Sequence, residues 1–232
     1  MQDWSASLSR VTAGSFSAEK HTLLTIEGLL ERPELAIEHA CLQKFAKITP
    51  QYPGLRAPLE PTACAQLLRA LSPVLCSAFE SRSGKWSMIA WYSIVTCPPK
   101  ELLPIQRLPH IDGTDPDQIA MMLYLHHTDH GGTAFFRHRS TGLEALTDES
   151  YPRYRDALHR DVAKAGLPPA AYVTDGEPLF ERTHVTPGTF NQAVFYRGNI
   201  LHSGVIDNAA PLPLDPRAGR LTINAFLQPP LA

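Results

Sequence analysis

The chain has 232 residues, of which 44% are hydrophobic and 19% are charged, and its formal net charge is −2. This composition is typical of a globular protein with one sizeable core, and it excludes the basic field that nucleic-acid binding needs. The four cysteines form no CxxC pair, so we expect free thiols in a reducing compartment. The chain has neither a basic, apolar leader nor a run of roughly 18 apolar residues, so we expect a cytoplasmic protein without a membrane partner.

The first third of the chain predicts a layer dominated by helices. Residues 21–27 alternate in the manner of a strand. Residues 33–47 and 61–80 each begin with a proline, a favoured first helical residue, and carry apolar residues at helical spacing. Residues 50–60 contain a Tyr-Pro-Gly turn and are predicted to form a loop. We therefore expect residues 1–84 to form a helical support layer.

From about residue 85 the pattern changes to short strands separated by turn residues. The predicted strands are residues 86–96, 118–126, 133–138, 182–186, 192–197 and 219–227. A helical insertion near residues 149–169 interrupts them. Short strands at this spacing favour a double-stranded β-helix, or jelly roll, over residues 85–232. We expect a single domain over residues 1–232, mainly β with a helical N-terminal layer.

A metal site is predicted by His110 and Asp112, which are separated by one residue, together with the later His202. On an extended segment, side chains two positions apart point the same way. Two imidazoles and one carboxylate are the donors of a ferrous iron site that leaves coordination positions open. A His-x-Asp tripeptide also arises by chance in a chain with ten histidines, so the prediction depends on further residues.

Those residues lie on the last predicted strand. Arg220, Thr222 and Asn224 alternate along it and share one face. An inward guanidinium can bind a carboxylate through its fork, and Thr222 can add a hydroxyl donor. The alternative is an arginine on a solvent-facing edge; Arg217 is a weaker candidate in the preceding loop. Tyr124 is equally compatible with a contact to the same carboxylate and with a core position.

Two other groups leave alternatives open. His126, His127 and His130 form a cluster that is more typical of a polar loop than of a metal site, because adjacent strand residues face opposite ways. On the strand at residues 86–96, Trp86, Met88, Ala90 and Tyr92 form one face and Ile89 and Trp91 the other. The pattern does not decide which face lines the cavity.

Five ordered motifs resemble those of the Fe(II)/2-oxoglutarate-dependent dioxygenases, within their prolyl-hydroxylase-like branch. They are PHID (109–112), MMLYL (121–125), HGGTAFF (130–136), FYRGNILHSG (195–204) and RLTIN (220–224). A YPGLRAP segment (52–58) resembles an uncharacterised bacterial subgroup. The resemblance covers residues 86–227 well and implies a jelly-roll fold. The long proline-rich loop before Arg220 and the insertion near 149–169 depart from the common pattern, and the insertion is a candidate lid or substrate-selecting element.

The resemblance implies that His110, Asp112 and His202 hold the iron and that Arg220 anchors 2-oxoglutarate. We therefore expect a dioxygenase that hydroxylates a small molecule or a peptidyl side chain and releases succinate and CO2. Related halogenases lack the carboxylate ligand, so Asp112 favours hydroxylation. The alternatives are a cupin-like metal enzyme without 2-oxoglutarate and a non-catalytic ligand-binding jelly roll.

Overall fold

A computed structural model describes residues 4–80, 86–126, 131–176 and 178–229. The elements of this part of the chain are β1 (Val11–Phe16), β2 (His21–Glu27), α1 (Pro33–Cys41), β3 (Gly54–Pro58), α2 (Pro61–Ala78), β4 (Ser87–Val95), β5 (Ile119–Tyr124), β6 (Thr133–His138), α3 (Tyr151–Ala165), β7 (Phe180–Val185), β8 (Gln192–Arg197), β9 (His202–Gly204) and β10 (Leu221–Gln228). Two short 3-10 turns, Pro99–Glu101 and Pro104–Arg107, connect β4 to the His-x-Asp segment.

The strands form two antiparallel sheets. The major sheet has the order β1-β2-β8-β5-β10-β4-β3, and the minor sheet has the order β7-β6-β9. His110 extends the minor sheet by an antiparallel bridge to His202 in β9. From β4 onward the chain passes from the major sheet to His110, back to β5, across to β6 and β7, and then through β8, β9 and β10 in alternation. This winding is a double-stranded β-helix, as predicted.

The main core lies between the major sheet and the two N-terminal helices. Leu67, Leu71 and Leu75 of α2 are fully buried in one cluster with Tyr92 and Ile223 of the sheet. Burying a leucine side chain contributes about 1.5–3 kcal/mol, so this stripe is a large part of what fixes α2 to the sheet.

This packing decides the orientation of β4. Trp86, Met88, Ala90 and Tyr92 belong to the helix-side core or pack against it. Trp91 therefore points to the opposite face, where its ring meets Phe226 with centroids 5.9 Å apart.

The expectation of a helical layer over residues 1–84 was only partly right. The two helices are present, but β1, β2 and β3 from the same region are strands of the major sheet. Residues 54–58 were wrongly assigned to a loop. They pair in register with β4, a long-range partner that turn residues in the local sequence could not reveal. The first helix ends at Cys41, earlier than predicted.

The helical insertion is confirmed as α3. Its buried residues Tyr154 and Ala157 face the minor sheet, where Tyr154 shares a cluster with Phe136 and Phe180.

The four cysteines are all free. Among the described residues, no helix combines the length and apolar character needed to cross a membrane. The single-domain organisation over residues 1–232 stays a prediction.

Candidate active site

The backbone of the minor sheet brings His110 and His202 together. The N–H of His110 donates to the carbonyl of His202 at 2.9 Å, and the N–H of His202 donates to the carbonyl of His110 at 2.8 Å. Two residues that exchange both hydrogen bonds lie directly opposite each other in an antiparallel pair. The N–H of Asp112 donates to the carbonyl of Gly198 at 2.8 Å, which fixes the end of the same segment. Residues far apart in sequence are thus placed by main-chain pairing.

The three side chains converge. One potential ligand atom from each of His110, Asp112 and His202 lies within 4.8 Å of the others. Nε2 of His202 is 3.5 Å from Oδ2 of Asp112, and the two imidazole centroids are 4.5 Å apart. Nδ1 of His202 is 2.8 Å from the carbonyl oxygen of Ile200. Because that carbonyl can only accept, Nδ1 donates to it, and Nε2 keeps its lone pair for a metal.

Burial sets the protonation of these groups. It lowers the pKa of His202 to about 4, with a small opposing effect from the Ile200 carbonyl. The pKa of His110 is also lowered, first by desolvation and then by His202, although its ring is accessible through a cavity. Desolvation raises the pKa of Asp112 to about 6, against the opposing effects of His110 and Arg56. At neutral pH the site therefore holds two neutral imidazoles and one carboxylate, the forms that bind metal.

The donor set fits a ferrous ion. Two imidazoles and one carboxylate without a thiolate form the 2-His-1-carboxylate arrangement of non-haem iron oxygenases. Tyr196 packs edge-on against His202 with centroids 4.9 Å apart, and both residues are buried. This contact holds the His202 ring in place and leaves the donor atoms facing a cavity.

That cavity has a volume of about 450 Å³, large enough for a small organic molecule. All three candidate ligands line it, and so do the two arginines Arg56 and Arg220. Asp112 is the sole carboxylate among its lining residues in the described part of the chain. A cavity that holds more cations than anions is suited to acidic ligands.

Arg220 is the deeper of the two cations. It lies immediately before β10, is only 2% exposed and donates from Nη2 to the carbonyls of Gly132 and Gly131 at 2.9 and 3.2 Å. These two neutral acceptors orient the guanidinium towards the cavity. The competing candidate Arg217 is exposed and does not line the cavity.

The structure does not bring Thr222 and Tyr124 to the cavity wall. Both are fully buried and neither lines the cavity. The hydroxyl of Thr222 lies 2.6 Å from Oδ1 of Asn224, to which it donates. The hydroxyl of Tyr124 is 2.8 Å from that of Thr133. Asn224, which shares the face predicted for Arg220 and Thr222, does line the cavity.

Arg56 is the residue that sequence reasoning missed. It lies on β3 opposite Ser93 of β4, and its guanidinium carbon is 4.2 Å from the ring centroid of Tyr52 and 5.7 Å from that of Trp91. The pKa of Arg56 is lowered, chiefly by desolvation, with smaller opposing effects from Tyr52 and Asp112. The available signal was the YPGLRAP segment, in which Leu-Arg-Ala follows the turn with strand-like alternation.

A second group of potential ligands, Glu19, His21 and Glu144, lies outside this cavity. Glu144 is buried, and its Oε1 accepts from Nε of Arg137 at 2.9 Å. Its Oε2 lies 3.1 Å from Nε2 of His21. A carboxylate already neutralised by an arginine is a poor metal ligand, so we interpret this group as an ion-pair network that joins β2 to β6.

Other sequence candidates are placed elsewhere. His126 is buried, with its ring 5.8 Å from that of Tyr124 in an edge-on contact. His127 and His130 lie outside the described residues. No residue of α3 lines the cavity, which disfavours a role of this helix as a lid over it.

Comparison with solved structures finds similar chains at low sequence identity. The non-haem epimerase SnoN from nogalamycin biosynthesis, which depends on alpha-ketoglutarate (2-oxoglutarate), aligns with a TM-score of 0.51 at 11% identity, over 91% of this chain and 79% of that chain. HygX from Streptomyces hygroscopicus, solved with nickel and 2-oxoglutarate bound, aligns with a TM-score of 0.47 at 12% identity over 91% and 84%. The collagen prolyl hydroxylase vCPH from Paramecium Bursaria Chlorella virus-1 aligns with a TM-score of 0.40 at 11% identity, over 89% of this chain and 94% of that chain.

The alignment with SnoN shows the fold alone. No curated protein matches the sequence. The model of one family, described as a family of unknown function (DUF6445), matches residues 8–227, and the chain therefore belongs to that family.

Proposed function

We propose that the protein is an Fe(II)- and 2-oxoglutarate-dependent dioxygenase that hydroxylates a small molecule or a peptidyl side chain and releases succinate and CO2. The observation that carries this proposal is the convergence of His110, Asp112, His202 and the buried Arg220 on one cavity. We assign the first three as metal ligands and all four as catalytic residues. A metal enzyme without a cosubstrate has no comparable need for a buried guanidinium beside its triad.

The roles follow from the positions of the side chains. Nδ1 of His202 donates its hydrogen to the Ile200 carbonyl, so Nε2 carries the lone pair that can bind a metal. Asp112 supplies the negative charge that favours a divalent ion, and an ion held by only these three side chains would keep positions open for other ligands. Iron, when bound, supplies the activation of dioxygen and the oxidative decarboxylation of the cosubstrate.

Arg220 binds and orients the cosubstrate in this proposal. If the 2-oxo acid end of the cosubstrate bound at the metal, its other carboxylate would be left for the guanidinium fork of Arg220, which matches that group. Because Arg220 is 2% exposed, the resulting charge pair is shielded from bulk water and correspondingly strong. Thr222 and Tyr124 are proposed to support the cosubstrate site from the layer behind the cavity wall, rather than by direct contact.

The apolar parts of the cavity exclude water. Val95, Leu108 and Ile206 line it together with Phe226. Displacing water from the metal and from the cosubstrate limits side reactions of the oxidising centre. The free cysteines agree with a reducing compartment, and a cytoplasmic location remains part of the proposal.

The test is succinate formation by protein reconstituted with Fe(II), supplied with 2-oxoglutarate and air and screened with a substrate panel. We expect the wild type to release succinate even without a substrate, at a slow uncoupled rate. The Asp112→Ala and Arg220→Met variants should lose this release, whereas the exposed His159→Ala variant should keep it. Equal release by wild type and Asp112→Ala would remove the triad from the chemistry.

A further inference from the structure

The second guanidinium of the cavity has no role in the proposed cosubstrate site. Arg56 is half-buried and lines the same cavity as the metal triad. Throughout residues 4–80, 86–126, 131–176 and 178–229, no hydrogen bond or ion pair reaches its guanidinium. Its Nε–H is covered by protein and has no acceptor. Buried donors are normally satisfied, and this one has no hydrogen-bond acceptor among the described residues.

Aromatic rings hold the guanidinium in position. It lies over the ring of Tyr52 at 4.2 Å, and Trp91 lies on another side at 5.7 Å. A stacked guanidinium keeps its N–H groups in the plane, directed away from the ring faces. The contact fixes the cation at the wall of the cavity without neutralising its charge.

The charge of Arg56 indicates what it binds. Among the described residues that line the cavity, the one carboxylate is Asp112, which we assign to the metal. The partner that suits the guanidinium of Arg56 is therefore an anionic group of a ligand in the cavity.

On these grounds we infer that Arg56 binds a carboxylate of the primary substrate, which is a small carboxylic acid with an apolar body. This inference rests on the proposed function and deepens it. A carboxylate matches the guanidinium fork with two coplanar oxygens. The apolar body suits the walls formed by Ile105, Leu108, Ile111 and Ile206. A peptidyl side chain without a nearby carboxylate does not use Arg56.

The test is calorimetric binding of matched acids and amides to protein loaded with Ni(II) and saturating 2-oxoglutarate, which binds without turnover. The probes are phenylacetate with phenylacetamide, and 4-methylpentanoate with its amide. We expect the wild type to bind at least one acid about tenfold or more tightly than its amide, the effect of a charge-assisted hydrogen bond. Arg56→Gln should abolish that preference, Arg56→Lys should keep part of it, and the exposed Arg217→Gln should keep all of it.

Several results overturn the inference. They are the absence of any acid preference in the wild type, an acid preference that survives in Arg56→Gln, and probe binding that competes with 2-oxoglutarate.

The affinity for 2-oxoglutarate is measured first on each variant. If Arg56→Gln weakens it about tenfold or more, Arg56 belongs to the cosubstrate site and the inference fails. If the wild type binds no 2-oxoglutarate but prefers acids through Arg56, the proposed function fails and the carboxylate site stands. Circular dichroism confirms the fold of each variant.

Discussion

His110 and His202 exchange both of their backbone hydrogen bonds, at 2.9 and 2.8 Å. The two candidate ligands are therefore directly opposed in the minor sheet before any metal is considered, and their rings lie 4.5 Å apart. A site built on paired strands is held more rigidly than one on loops. The free energy needed to bring the two imidazoles together is supplied when the sheet forms and does not have to come from metal binding.

Metal removal is accordingly expected to leave the fold intact. Protein treated with EDTA should unfold cooperatively, and Ni(II) at about 100 times its Kd should add about 2.7 kcal/mol to the free energy of unfolding by mass action. Thermal unfolding followed by circular dichroism at several metal concentrations measures both. His202→Ala should fold but show little stabilisation by metal. A metal-free wild type without a cooperative transition would contradict the preorganised site.

The pH dependence of metal affinity follows from the pKa values of the triad. Asp112, with its pKa raised to about 6, is ionised at pH 7 and becomes protonated below pH 6. His202, with its pKa lowered to about 4, stays neutral through that range. The affinity for Ni(II) should therefore be nearly constant from pH 7.5 to 6.5. It should then fall about tenfold per unit between pH 6 and 5, because one proton competes with the metal.

Calorimetric titration with Ni(II) at each pH provides the measurement. In Asp112→Asn the affinity should be lower at pH 7, and the one-proton dependence should disappear because the amide does not titrate. A loss that begins at pH 6.5 and is steeper than one proton would mean that both imidazoles titrate normally, which contradicts the burial of His202.

Substitutions of Arg220 and of Arg217 form a matched test of the cosubstrate site, with Arg217 as the control. Arg220→Met should weaken the binding of 2-oxoglutarate to the Ni(II) protein by about 10- to 150-fold, because a hydrogen bond to a charged group is worth about 1.5–3 kcal/mol. The affinity for Ni(II) alone should not change. Arg217→Met, on the exposed loop, should bind 2-oxoglutarate like the wild type. If Arg220→Met binds as tightly as the wild type, the anchor lies elsewhere.

Asn191 joins the β8 side of the jelly roll to the chain after β2. Its side-chain amide accepts from the N–H of Leu30 at 2.9 Å and donates to the Leu30 carbonyl at 2.8 Å. Its backbone has a φ of 58°, a left-handed conformation that most side chains disfavour. Asn191→Ala should lower the free energy of unfolding by about 2–4 kcal/mol, since it leaves buried backbone groups unsatisfied and adds strain.

Chemical denaturation of Asn191→Ala and Asn191→Gly separates these two contributions. The glycine variant accepts the positive φ and loses only the amide, so it should be the more stable of the two. Equal stability of Asn191→Ala and the wild type would show that the amide does not anchor the segment.

Local sequence predicted most of the jelly roll, because its strands are short, apolar and bounded by turn residues. The strand at residues 21–27, the helix α3, the strands β4 to β8 and the strand β10 lie close to their predicted positions, whereas no strand had been placed over the short β9. The segment at residues 54–58 was assigned incorrectly because its strand character comes from pairing with β4. That partner lies far away in sequence, and the local signal was a turn followed by only a few alternating residues.

The same error hid part of the site. His110, Asp112 and His202 could be proposed from side-chain chemistry and spacing, and Arg220 from alternation along the last strand. Arg56 could not be proposed, because its segment was assigned to a loop, and a loop assignment does not predict which way a side chain points. Thr222 was predicted beside the cosubstrate from its shared face with Arg220. In the structure Thr222 does not line the cavity, and its hydroxyl donates to Asn224.

The central claim, that one metal and one 2-oxoglutarate bind together at His110, Asp112, His202 and Arg220, is tested most directly by anaerobic spectroscopy. Fe(II) protein is titrated with 2-oxoglutarate in the absence of oxygen, and the visible spectrum is recorded. We predict a weak charge-transfer band that saturates at one equivalent and is absent from His202→Ala. A wild-type protein that binds Fe(II) but develops no band at saturating 2-oxoglutarate would contradict the claim.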